Sequence, residues 1–186
     1  MFRRVDYAGF TLFDLLVVVA IAAILLLVGI PSLQSSIQNA RMVTTSNGML
    51  GALHLARSEA MKRQTFVTIC RSMDQQQCSD DDTREWEHGW IMFVDPDRSG
   101  TVNEDNQILR VSGPVPPGIT VRSGGNYAQH VSFGLLGVSR GNTGLPNDTL
   151  RICDPRGSAH ARAVVVNIRG RPRLANGQDA KIKCPS

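Results

Sequence analysis

Close to the C-terminus stands Arg169-Gly170-Arg171-Pro172-Arg173, three guanidinium groups on alternate residues behind the apolar run Val164 to Val166. A guanidinium offers its donors in a planar fork that matches phosphate oxygens two at a time. Glycine permits a tight turn and proline limits further ladder pairing. The five residues are therefore expected to form a stiff loop that holds its arginines outward. From Arg140 onward there are nine basic residues: Arg140, Arg151, Arg156, Arg162, Arg169, Arg171, Arg173, Lys181 and Lys183. Against them stand Asp148, Asp154 and Asp179, a local excess of six positive charges in a chain whose net charge is +4. Such a field draws in phosphate backbones. No aromatic residues interleave with the arginines, so any nucleic acid held here would be contacted along its backbone rather than read at its bases. The blander alternative is a solvated basic face, or arginines paired with acids elsewhere in the chain.

Those acids are concentrated in one segment. Asp74, Asp80, Asp81, Asp82, Glu85, Glu87, Asp95, Asp97, Glu104 and Asp105 are opposed only by Arg84 and Arg98, an excess of eight negative charges. This segment can repel DNA or dock a basic face of a neighbouring subunit. Within it, Asp95-Pro96-Asp97-Arg98-Ser99-Gly100 begins like a calcium loop, but the twelfth position is Asn106, where a bidentate glutamate is required. The simpler expectation is a hairpin connection between Trp90–Val94 and Gln107–Ser112.

Catalytic chemistry finds no support. His54, His88, His130 and His160 form no H-E-x-x-H pair, and neither a nucleophile elbow nor a phosphate-cradling glycine motif is present. No enzyme, cofactor or metal site is expected. Cys70, Cys78, Cys153 and Cys184 are an even set, in keeping with export to a compartment where disulfides persist. Four cysteines allow three pairings. Cys70–Cys78 and Cys153–Cys184 are favoured because each closes a local loop. Zinc is the other reading, but there is no C-x-x-C.

One more acid stands apart. Leu15 to Ile30 runs sixteen residues without a charge, and Phe10 to Phe13 bring it to the roughly 20 needed to cross a bilayer. Asp14 lies inside that stretch, where a carboxylate costs a few kcal/mol unless it finds a partner. Arg3 and Arg4 precede it and favour a cytoplasmic N-terminus. No small-residue cleavage site follows the apolar run, unlike an ordinary signal peptide, and an uncleaved anchor is one reading.

The elements that would position these groups divide the chain in two. Pro31 follows the apolar run and is expected to kink or weaken a helix there. From Ser32 to about Gln64 the pattern is helical: Met49, Leu53, Ala56 and Ala60 repeat at i, i+4, i+7 and i+11, with Met42 and Leu50 near the same stripe. Gly48 and Gly51 weaken it, at roughly 1 kcal/mol each relative to alanine. His54 is expected at the edge of the stripe. Beyond Gln64 come short β-like runs separated by Gly, Pro, Asn and Asp: Phe66–Cys70, Trp90–Val94, Gln107–Ser112, Ile119–Arg122, His130–Phe133, Thr149–Cys153 and Ala163–Ile168. One long helix followed by an antiparallel sheet is an α+β architecture.

Gly9-Phe10-Thr11-Leu12-Phe13-Asp14-Leu15-Leu16 resembles the cleavage motif of type IV prepilins and pseudopilins. Leu53 to Arg63, Thr68-Ile69-Cys70, Gly89 to Asp95, and Val164 to Asn167 with Gly170 to Arg173 resemble the FimT/GspH minor-pilin and pseudopilin family, most of all its FimT branch. The resemblance implies the type IV pilin fold: a leader (1–9), the transmembrane half of a long helix (10–31), its amphipathic half (32–64) and a β-rich periplasmic domain (65–186). It implies that a prepilin peptidase cuts between Gly9 and Phe10 and methylates the new terminus. Asp14, where the family usually has glutamate, would then pair with the amine of Phe10 in a neighbouring subunit. It implies a single-pass inner-membrane precursor that enters a fibre of major and minor pilins at the cell surface. It also implies binding of double-stranded DNA during natural transformation through Arg171 and Arg173, with Arg169, Lys181 and Lys183 assisting around Gly170. A minor pseudopilin of a type II secretion system, or a pilin that primes fibre assembly without touching DNA, is the alternative.

Overall fold

The computed structural model describes residues 12–80, 85–103, 107–179 and 182–184. The chain divides into two units, residues 1–39 and 40–186. In the first unit helix α1 (Leu12–Arg63) begins, with Asp14 in its first turn. Its large apolar side chains from Leu12 to Leu27, with Ile30 and Leu33, are exposed, and the segment is long and apolar enough to cross a membrane. The helix runs on through Pro31, which can supply no N–H to the backbone ladder.

In the second unit, the later turns of α1 bury one stripe. Met42, Met49, Ala52, Leu53, Ala56 and Ala60 are inaccessible to solvent, whereas Gly48, Gly51 and His54 are exposed. The stripe packs on two antiparallel sheets rather than the single sheet expected. The larger contains β1 (Val67–Arg71), β2 (Trp90–Val94), β3 (Ile108–Ser112), β5 (His130–Phe133) and β6 (Ser139–Gly141), in the order β3-β2-β1-β5-β6. The smaller contains β4 (Thr120–Arg122), β7 (Asp148–Cys153), β8 (Arg162–Val166) and β9 (Pro172–Asn176), in the order β4-β7-β8-β9.

Side chains alternate across each strand, so every strand has a helix-facing set and an outer set. Ile69, Met92, Val131 and Phe133 of the larger sheet join Val121, Leu150, Ile152, Val164 and Val166 of the smaller in one core beneath α1. Each outer face carries a smaller cluster, covered by a disulfide-tied segment. On the larger sheet Cys70, Ile91 and Phe93 lie under the segment held by Cys70–Cys78. On the smaller sheet Ala163 and Ala175 lie under Ile182, anchored by Cys153–Cys184. The two pairs have Cα separations of 5.5 and 5.8 Å, so the pairing favoured for its local loops is the one formed.

Two strands were not foreseen. β6 is three residues with no apolar alternation. β9 begins at Pro172, which was expected to stop pairing. Instead Pro172 lies opposite Val166 and the ladder continues to Asn176 opposite Arg162. Proline is tolerated there because it is the first residue of an edge strand, where its missing donor removes no inner rung.

Candidate nucleic-acid interface

The turn between β8 and β9 is built by Asn167 and Gly170. The N–H of Asn167 donates to the carbonyl of Arg171 (3.2 Å), and Gly170 donates back to the carbonyl of Asn167 (2.8 Å). The Asn167 side chain then accepts the backbone N–H of both Arg169 and Arg171, each at 3.0 Å. An uncharged amide thus satisfies the turn's donors. Gly170 has φ +68° and is buried. A β-carbon there would stand 2.8 Å from the N–H nitrogen of Ser139 and closer still to the carbonyl oxygen of Gly137. Glycine is required on both counts. The same Gly137 carbonyl accepts Arg57 Nε of α1 at 2.9 Å, so helix, β5–β6 turn and β8–β9 turn are locked together.

Arg169, Arg171 and Arg173 are exposed, and among the described residues none has a carboxylate within 4.0 Å. Among the described residues, no acid of the acidic segment pairs with them. Arg173 lies opposite Val165, which lies opposite Thr149, so all three share the outer face of the smaller sheet. Lys183 is exposed on the C-terminal segment crossing that face, and Lys181 lies outside the described residues. That segment is fixed by Cys153–Cys184, by Ile182 N–H to the Gly177 carbonyl (3.0 Å) and by Cys184 N–H to Ser158 Oγ (3.1 Å).

Two of the remaining cations are engaged within the fold. Arg156 is ion-paired to Asp154 at 2.6 Å, and Arg151 donates to the Ser123 carbonyl at 2.8 Å. Arg140, noted in sequence only as one charge among nine, is exposed on β6 one residue from Ser139, beside Gly170. Nothing local marks that proximity, which joins turns about thirty residues apart.

The acidic segment is differently made. Asp95 is fully buried and accepts from Thr68 Oγ1 (2.6 Å), Ser99 N–H (3.0 Å) and Gly100 N–H (3.1 Å). It closes the β2–β3 connection, as the hairpin expectation requires, and its oxygens are taken by protein donors. Asn106 lies outside the described residues. Asp97 is held below the usual carboxylate range, first by hydrogen bonding with Asp95 and then by the Ser99 N–H. The backbone N–H groups of Gln77 and Gln76 do the same for Asp74. Glu85, Glu87 and His88 bring ligand atoms within 4.8 Å of one another, but both glutamates pair with Arg122, so the group is an ion-pair cluster. Asp14 is exposed on α1, whereas Gly9 and Phe10 lie outside the described residues.

A long apolar N-terminal helix whose later turns pack on antiparallel sheets is the architecture of a type IV pilin. Two crystal forms of the Pseudomonas aeruginosa type IV minor pilin FimU share it. One, at 19% identity, superposes with a TM-score of 0.59 over 76% of this chain and 92% of that one. The other, at 20% identity, gives 0.55 over 71% and 90%. No curated protein sequence matches the chain significantly. The family described as type II transport protein GspH matches residues 45–170, well over half of the chain. The protein therefore belongs to the GspH family, whose members are structural, non-enzymatic components.

Proposed function

We propose that this protein is a minor type IV pilin that binds double-stranded DNA through Arg169, Arg171 and Arg173 during DNA uptake in natural transformation, with Lys181 and Lys183 assisting. The observation carrying this reading is the turn itself. Its backbone is satisfied by Asn167 and fixed by Gly170 against Gly137, while the guanidinium groups of Arg169, Arg171 and, just beyond on β9, Arg173 are exposed and free of carboxylates among the described residues. Preorganised cations of this kind suit phosphate oxygens. The apolar start of α1 supports insertion of the precursor into the bacterial inner membrane, with the β-rich domain in the periplasm and later on the fibre. In the same reading, prepilin peptidase cuts and methylates at Gly9–Phe10, and Asp14 pairs with the new amine of Phe10 in a neighbouring pilin. The domain limits 1–9, 10–31, 32–64 and 65–186 belong to this proposal.

Titration of the full-length protein in detergent against labelled duplex DNA, at low and moderate salt, tests it. Binding should weaken steeply with salt as counterions are released. In Arg171→Glu/Arg173→Glu, affinity should fall at least about tenfold, and the log–log salt slope should shrink by about two. Equal binding by the two proteins would remove the turn from any DNA site. The name of the matched family favours a second reading, a minor pseudopilin of type II secretion. A deletion strain that transforms normally but fails to secrete would establish that one instead.

A further inference from the structure

Beside the arginine turn is an open pocket of about 340 Å³ formed by Phe66, Arg98, Leu135, Leu136, Val138 and Arg140. Val138 joins it to the turn, because its Cα lies 3.0 Å from where a Gly170 β-carbon would stand. The walls are aliphatic and unusually open to solvent: Leu136 is 86% exposed, Leu135 40% and Val138 38%. The floor is a stack, with the Arg98 guanidinium 3.9 Å above the centre of the Phe66 ring. Arg98 reaches that place from a left-handed backbone, φ +58°, a conformation that costs a non-glycine residue free energy. The buried Asp95 holds it there by binding the N–H groups of Ser99 and Gly100 immediately beyond. Asp97, the neighbouring acid, is engaged with Ser99 N–H and Asn103 Nδ2, both at 3.3 Å. Arg140 and Arg98 have no carboxylate partner within 4.0 Å among the described residues.

We propose that this pocket takes an unpaired nucleobase of the DNA held by the arginine turn, so that the protein favours duplex ends with a single-stranded tail. The inference rests on the DNA-binding reading above. A base is a flat apolar face edged with polar atoms, and planar guanidinium groups and apolar walls are what such faces stack on. Arg140 at the rim and Arg169 on the adjoining turn supply cations for the phosphates flanking that base. Within a duplex every base is stacked and paired. Only a tail or a frayed end offers one without the cost of flipping it out.

The test compares a blunt duplex with the same duplex carrying a short single-stranded tail, using full-length protein in detergent and fluorescence anisotropy. Wild-type protein should bind the tailed duplex at least about fivefold more tightly, the lower end of what one stacked base contributes. Arg98→Ala removes the stacking plane. Leu136→Ser opens a wall at a residue too exposed to matter for folding. Both should lose the tail preference while blunt-duplex affinity, set by Arg171 and Arg173, stays within about twofold. Equal wild-type affinity for the two duplexes overturns the pocket. If both affinities then collapse in Arg171→Glu/Arg173→Glu, the DNA-binding reading survives without it. A preference that persists in Arg98→Ala and Leu136→Ser also overturns it. Wild-type binding to neither duplex at low salt overturns the DNA-binding reading and the pocket together.

Discussion

The connection after β2 opens on three charged side chains, Asp95, Asp97 and Arg98, and the turn after β8 carries Arg169 and Arg171, with Arg173 following on β9. In the first, the acids are consumed by the fold. Asp95 is buried under Thr68, Ser99 and Gly100 donors, and Asp97 meets Ser99. In the second, the fold is made by neutral groups. The Asn167 amide and the bare α-carbon of Gly170 fix the turn, and the guanidinium groups take no part. Two charged hairpin connections of similar appearance in sequence thus differ in what their charges are for. The charges left over by folding are the ones available to a ligand.

The largest effect that would test the contrast is at Asp95. Asp95→Ala leaves the buried Gly100 N–H without an acceptor, removes the charged partner of Thr68 Oγ1 and Ser99 N–H, and should cost about 3 kcal/mol in denaturant unfolding. A loss under about 1 kcal/mol would mean that the acid is not what closes the loop. Gly170→Ala should come next, at about 2 kcal/mol, because it adds a positive-φ penalty to a clash with the β5–β6 turn. It should also lower DNA affinity, since the arginines would be displaced. Unchanged stability would show that the two turns do not touch.

A smaller effect is expected at His130, whose ring lies against Gly100. Burial pushes its pKa below the ordinary value of about 6.5, and the charge of Asp95 partly opposes this. The unfolded chain therefore takes up the proton at a higher pH than the folded one. Stability is complete above about pH 6.5 and declines as pH falls below it. Between about pH 7.5 and 5.5 the melting temperature should fall less in His130→Gln than in the wild type. Parallel curves would exclude His130 as the source. The smallest change should come from Arg171→Glu/Arg173→Glu, within about 0.5 kcal/mol of wild type by the same unfolding measurement. A loss comparable to that of Asp95→Ala would place these arginines among the groups that fold the domain, and the contrast would fail.

Much of the scaffold was legible because it follows periodicity. Met49, Leu53, Ala56 and Ala60 are spaced as one helix face and are buried together. Trp90–Val94 and His130–Phe133 end where their apolar runs end. The rest escaped for reasons of range. β6 contains no apolar repeat and forms because β5 lies beside it. β9 starts on a proline and owes its pairing to closure of the Asn167–Arg171 turn. That the strands divide into two sheets depends on long-range pairing, to which no single strand bears witness. The arginines of the candidate site were visible as charges. So were Arg140 and Arg98, but the pocket between them was not, since Gly137 meets Gly170, and Arg98 meets Phe66, only in the folded chain.

The Cys153–Cys184 bond spans 31 residues, and the whole β8–β9 hairpin with its arginine turn lies between its ends. Mechanically, this makes the turn a point on a closed covalent ring. A pull applied at Arg171 can unzip β9, an edge strand, from β8 alone. Once that slack is drawn out, tension divides between the two arms of the ring and returns to the sheet at Cys153 on β7. Nothing further can be drawn from the C-terminal end. A cargo held there is tethered by a loop of fixed contour length rather than by an open chain end, as a load-bearing attachment requires.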